Sequence, residues 1–119
     1  MYRYLAMMIV LLGLASCGQP KDVKMVKSSP DGKVTVTITG RKASALDPFQ
    51  VAMSVRAGDI PEGSLTFEIA ADDLNDSNVR LDWSDPQHAV ITFTQRDGEP
   101  RIFTLAVSET SVLLAPVIH

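Results

Sequence analysis

The sequence predicts an all-β protein, a small antiparallel β-sandwich or open barrel of about seven or eight strands. Three observations support this fold class. From Val23 onward the hydrophobic residues recur with a period of two, turn signals separate these alternating runs every 8–12 residues, and no window has the 3.6-residue period of an amphipathic helix. Short strands at such regular spacing are typical of sandwiches and barrels.

The alternation defines each strand in turn. It is clearest where Val34, Val36 and Ile38 alternate with threonines, and where Phe49 and Met53 share a face with two valines. The predicted strands are residues 22–27, 33–39, 49–57, 64–70, 78–83, 88–96, 101–108 and 111–115. Because sequential strands with short links usually pair, we expect the last four to form an antiparallel meander.

Turn residues separate these strands. Residues 29–32 combine proline with a glycine that tolerates positive φ, residues 58–63 and 84–88 read as connections, and Asp97-Gly98 is a strong hairpin signal. Two further stretches lack a strand pattern. Residues 42–48 are expected to be a crossover or a loop, and residues 71–78 a polar loop that can include one helical turn.

The N-terminus has a different character. A short start with Arg3 precedes an apolar run from Leu5 to Ala15, which is too short to cross the roughly 30 Å of hydrocarbon as a helix and is typical of a secretory signal peptide. The run ends in Leu14-Ala15-Ser16-Cys17. This segment resembles the lipobox of bacterial lipoproteins, with two small residues before a cysteine.

The resemblance implies cleavage between Ser16 and Cys17 and diacylglycerol attached to the Cys17 sulfur through a thioether. By the same family's sorting rule, Gly18 in place of an aspartate implies the outer membrane of a Gram-negative host, facing the periplasm. The alternative is an ordinary secretory signal followed by a structural cysteine. Cys17 is the only cysteine, so no disulfide can form within the chain.

These features divide the chain into a signal peptide (1–16), a lipidated tether (17–21) and one β-sandwich domain (22–119). Without the signal peptide, 10 Lys and Arg face 14 Asp and Glu, a net charge of −4. Nucleic acid is therefore not an expected partner, because phosphate binding needs clustered positive charge.

The loop after residue 70 is a candidate metal site. Asp72, Asp73 and Asp76, with Asn75 and Asn78, supply several oxygen atoms of the kind that Ca²⁺ binds. Their spacing differs from that of the calcium loop of an EF-hand, and Asp and Asn also favour solvated turns. Both interpretations stay open.

A second candidate site follows Trp83. Asp85 and His88, with Asp82 nearby, could form a general acid–base pair or a binding site, or could simply flank a surface hairpin. Trp83 itself is either a core aromatic or an exposed binding anchor. The chain has no recognisable nucleophile elbow, phosphate loop or zinc motif, so neither catalysis nor a cofactor is predicted.

The leading functional hypothesis is a lipid-anchored cell-envelope lipoprotein whose domain is a non-catalytic module that binds an envelope protein or serves a structural role. The alternative is a small-ligand or Ca²⁺-binding domain that uses residues 72–78. Residues 101–107 and 90–93 are apolar on both faces, which indicates either central strands or a partly exposed patch for a partner.

Overall fold

The computed structural model describes residues 21–117, and within them it confirms an all-β fold. Eight strands occur in chain order, which agrees with the upper end of the predicted number. They are β1 (Lys21–Ser28), β2 (Val34–Lys42), β3 (Phe49–Ala57), β4 (Ile60–Ile69), β5 (Val79–Asp85), β6 (His88–Thr94), β7 (Pro100–Val107) and β8 (Val112–Pro116).

The strands form two four-stranded sheets, each a simple antiparallel meander. The first sheet has the order β1-β2-β3-β4 and the second the order β5-β6-β7-β8, so every strand pairs with its sequence neighbour. The predicted meander of the last four strands is confirmed. The first four repeat it because each of their links is short enough for a hairpin.

The hydrophobic core lies between the two sheets, where the alternating residues of both meet. On β2 and β3, for example, Val36, Ile38, Met53 and Val55 are buried. Phe67 of the first sheet packs against two phenylalanines of the second, with ring centroids 5.0 Å from Phe93 and 4.3 Å from Phe103. These contacts across the sheets make the arrangement a β-sandwich.

The two ends of the sandwich differ. One end, here called the turn end, carries the short links 29–33, 58–59, 86–87 and 108–111. The other, here called the loop end, carries the start of β1 and the links 43–48, 70–78 and 95–99, of which 70–78 is the longest. A backbone hydrogen bond of 2.7 Å from Arg96 N to Ala70 O joins two of the links at the loop end.

The connection from β3 to β4 corrects the sequence prediction. Only Gly58 and Asp59 lie between the strands, rather than residues 58–63, and Gly58 has a φ of 54°. A two-residue link with positive φ at its first position matches the type II′ turn of hairpins. Pro61 is tolerated within β4 because β4 is an edge strand.

The structure also decides between the two interpretations of the stretch from Lys42 to Pro48. Lys42 belongs to β2, and residues 43–48 form a hairpin loop rather than a crossover, since β2 and β3 pair directly. The polar loop predicted at 71–78 is confirmed as a loop, and it contains a turn at residues 76–78.

Candidate functional site

The predicted lipidation site lies outside the described residues. This applies to Ser16, Cys17 and the whole signal peptide. The described residues begin at Lys21, the first residue of β1, so three residues separate β1 from Cys17 in the sequence. The described residues contain no helix long and apolar enough to cross a membrane.

In the acidic loop, each of the three predicted carboxylates pairs with a different basic side chain. Asp72 lies 2.6 Å from Arg96, Asp73 lies 3.1 Å from Lys21, and Asp76 lies 2.5 Å from the Lys27 ammonium. The bond from Lys21 is the main cause that lowers the pKa of Asp73, and the backbone N–H of Leu74 adds to it. The loop is therefore tied to both β1 and the β6–β7 link.

The asparagines of this loop accept hydrogen bonds from backbone N–H groups within the loop. Asn78 Oδ1 accepts a bond of 2.9 Å from Asn75 N, and Asn75 Oδ1 accepts one of 2.9 Å from Ser77 N. Within residues 21–117 no three His, Cys, Asp or Glu side chains form a group that could hold a metal ion. The geometry gives the Ca²⁺ hypothesis no support, and that hypothesis stays a prediction.

The same loop closes the core at the loop end. Leu74 is 2% exposed and packs against Gly40 so closely that a Cβ at Gly40 would lie 2.4 Å from the Leu74 Cδ1 atom. Lys42 is buried as well; its Nζ donates a 2.7 Å bond to Ala71 O and lies 4.8 Å from the centre of the Phe49 ring. Residues 71–74 therefore have a packing role.

Asp85 and His88, the second predicted site, do come together. The His88 Nδ1 atom lies 2.9 Å from both Asp85 carboxylate oxygens, and Oδ1 also accepts a 2.7 Å bond from Gln87 N. His88 is the main cause that lowers the pKa of Asp85. Both side chains are about half exposed and flank the two-residue link 86–87, and Asp82 lies elsewhere, 3.3 Å from Arg80.

This geometry holds a hairpin turn together. The Asp85 carboxylate, at the end of β5, bonds to Gln87 N and His88 Nδ1 on the far side of the turn. The pair lies at the surface rather than in an enclosed site. The neighbouring Trp83 is half-buried and packs against the core from β5.

A cleft at the turn end is the main feature that the sequence did not indicate. We call it the turn-end cleft; it has a volume of about 430 Å³. Its lining residues are Asp31, Lys33, Val34, Ala57, Gly58, Asp59, Ile60, Pro86, Gln87, Val107, Ser108 and Glu109. They come from all four links of the turn end and from the strand residues next to them, and a 2.9 Å bond from Val107 N to Gln87 O joins the end of β7 to the 86–87 link.

The turn-end cleft has an apolar floor and a charged rim. Val34, Ala57 and Val107 are buried at its floor, and Ile60 is half-buried beside them. The rim side chains are exposed and comprise three carboxylates, Asp31, Asp59 and Glu109, and the ammonium of Lys33.

The outer face of the second sheet is a further apolar surface. Val90 is 40% exposed and Leu113 64% exposed, and Ile102 and Ala106 lie half-buried between them on β7. The inward residues of β7 are buried, so β7 is both a central strand and part of this patch. The two interpretations of residues 101–107 are therefore compatible.

Comparison of the chain with protein-family models, with curated proteins and with solved structures found no match.

Proposed function

We propose that this chain is a lipid-anchored cell-envelope lipoprotein whose β-sandwich is a non-catalytic protein-binding module. In a Gram-negative host the domain faces the periplasm from the outer membrane. The proposal combines the lipobox-like segment ending at Cys17 with the position of the first strand.

The observation that carries the proposal is that β1 begins at Lys21, at the loop end, only four residues after Cys17. Four residues span at most about 14 Å. If Cys17 carries lipid, the loop end must therefore lie close to the bilayer surface. A single acyl chain binds a membrane only marginally, so the two chains of a diacylglycerol are what make this anchor stable.

The same arrangement directs the turn end away from the membrane. The nine-residue strands β2 and β3 run between the two ends. At about 3.3 Å per residue they separate the ends by about 30 Å. The turn-end cleft, with its apolar floor, would then be open to the space where a partner protein could reach it, which favours a binding role over a purely structural one.

Membrane fractionation tests the anchor. We expect the full chain to sediment with membranes and to incorporate an alkyne-labelled fatty acid, and Cys17→Ala to lose both properties. Gly18→Asp should move the protein to the inner membrane of a Gram-negative host, and Gly18→Asn is the matched control that keeps it in the outer membrane. A Cys17→Ala protein that stays membrane-bound would contradict the proposal.

Photo-crosslinking tests the binding role. A photoreactive amino acid encoded at position 59 or 109, on the rim of the turn-end cleft, should give a discrete adduct in intact cells. The same amino acid at position 47, in the exposed loop 43–48 at the loop end, is the control. Adducts only from position 47 would show that the partner binds at the loop end, which would contradict a binding role for the turn-end cleft.

A further inference from the structure

We propose that the turn-end cleft binds a segment of a partner protein in which a lysine or arginine neighbours an apolar side chain. This inference rests on the proposed binding function and specifies the partner's chemistry. It follows from three properties of the cleft, namely its floor, its charge and the open approach to its rim.

The floor favours an apolar side chain. The buried Val34, Ala57 and Val107 and the half-buried Ile60 form the inner surface of a cavity of about 430 Å³. This volume lies within the range of about 300–1,000 Å³ that is usual for binding pockets. Covering such a floor removes apolar surface from water, which is the main favourable contribution to association.

The rim favours a cation. Three carboxylates and one ammonium line it, so its net charge is −2. Asp31 is oriented by its own turn, since its Oδ1 accepts bonds of 2.6 Å from Ser29 Oγ and 3.1 Å from Lys33 N. Both bonds use Oδ1, which leaves Oδ2 available. The Ser29 bond is the main cause that lowers the pKa of Asp31, so this rim group is anionic at neutral pH.

The other two rim carboxylates are available to a ligand. Neither Asp59 nor Glu109 forms a side-chain hydrogen bond or an ion pair within residues 21–117. By contrast, the acidic loop at the opposite end has each of its three aspartates paired with a basic side chain. The turn end therefore has unpaired negative charge around a recess whose apolar floor includes the half-buried Ile60, which complements a segment that is both basic and apolar.

Two glycines keep the approach to the rim open. Gly32 and Gly58 have φ values of 75° and 54°, and no heavy atom lies within 4 Å of the position of an added Cβ. A peptide backbone could therefore come close to these links without a steric clash. A peptide segment suits this site better than a free polyamine, because a polyamine offers no branched apolar side chain to the floor.

Peptide titration tests the proposal. The full chain, purified from membranes in detergent, is titrated with a fluorescein-labelled seven-residue peptide of alternating valine and lysine, and anisotropy is measured. We expect saturable binding that weakens when salt is raised, because rim charges are screened. Peptides with glutamine or glutamate in place of lysine, and free spermidine as a competitor, are the controls.

Charge-neutralised variants locate the site. Asp59→Asn combined with Glu109→Gln should weaken peptide binding by about two- to thirtyfold, as expected for two exposed ion pairs. The matched control is Asp22→Asn combined with Asp82→Asn, which changes the net charge equally at exposed residues outside the cleft and should change binding by less than about twofold.

NMR chemical shifts give a second readout that does not depend on the variants. Peptide addition should shift the amide signals of Asp31, Gly58 and Ser108, which line the cleft. Equal binding of the glutamine peptide, full competition by spermidine, no binding at millimolar peptide, or shifts confined to Val90 and Leu113 on the outer face of the second sheet would each overturn the proposal. None of these results would affect membrane anchoring through Cys17, which fractionation tests separately.

Discussion

Leu74 anchors the 70–78 loop to the hydrophobic core at the loop end. Replacing Leu74 with alanine tests that packing quantitatively. Its side chain is 2% exposed and lies against Gly40, which the ring of Phe49 also approaches. Leu74→Ala removes three buried carbon atoms and leaves a cavity, for which a loss of about 2–4 kcal/mol in the free energy of unfolding is expected. For a domain of this size the melting temperature should fall by roughly 10–25 °C.

Because Leu74 contacts Gly40, substitutions at these two residues can be combined in a double-mutant cycle. In Gly40→Ala the new Cβ would lie 2.4 Å from Leu74 Cδ1 and 3.1 Å from Phe49 Cδ1, so we expect a loss of about 1–3 kcal/mol from overpacking. In the double variant the methyl group introduced at position 40 occupies space that Leu74 has vacated. The two losses should therefore be less than additive, by about 1 kcal/mol or more.

The assay is urea denaturation of the purified protein, followed by the fluorescence of Trp83, the only tryptophan. Linear extrapolation gives the free energy of unfolding for each of the four proteins in the cycle. A loss below about 0.5 kcal/mol for Leu74→Ala, or strictly additive losses, would refute the packing of Leu74 against Gly40.

Three further predictions concern charge, backbone and metal. The pKa values of Asp31, Asp73 and Asp85 are lowered on folding, so their contribution to stability is present above the ordinary aspartate pKa of about 3.9 and is lost as the pH falls through the lowered values. Asp73→Asn should reduce the pH dependence of the unfolding free energy below about pH 5, and unchanged curves would contradict this. Gly58→Ala should destabilise the protein by about 1 kcal/mol in urea denaturation, because its φ of 54° strains any L side chain, and a neutral result would argue against the type II′ turn. Melting temperatures in Ca²⁺ and in EDTA should agree, since the carboxylates of residues 72–78 are paired with basic side chains, whereas a rise in Ca²⁺ would support the alternative function.

Local sequence patterns were sufficient to predict most of the fold. The alternation of Val34, Val36 and Ile38 with threonines reports directly that one face of β2 is buried, and the Asp97-Gly98 link has the residues that its turn needs. The start of β4 was missed because Pro61 and Gly63 are ordinarily turn residues. Their place in a strand depends on β4 being at a sheet edge, which is a property of the whole sheet.

The candidate sites were harder to predict because their meaning depends on contacts that are distant in sequence. The pair Asp85 and His88 could be recognised because a short turn brings them together. The partners of Asp72, Asp73 and Asp76 could not, since Arg96, Lys21 and Lys27 reach the loop from other elements. The turn-end cleft was missed for the same reason, because four separate links form it.

Lipid on Cys17 is the central claim, and mass spectrometry of the N-terminal peptide tests it most directly. The protein is extracted from membranes of the native host or of a bacterial host that processes lipoproteins, and is then digested. We expect the mature chain to begin at Cys17, with diacylglycerol on its sulfur. A chain that begins at any other residue, or a Cys17 with a free thiol, would contradict the claim.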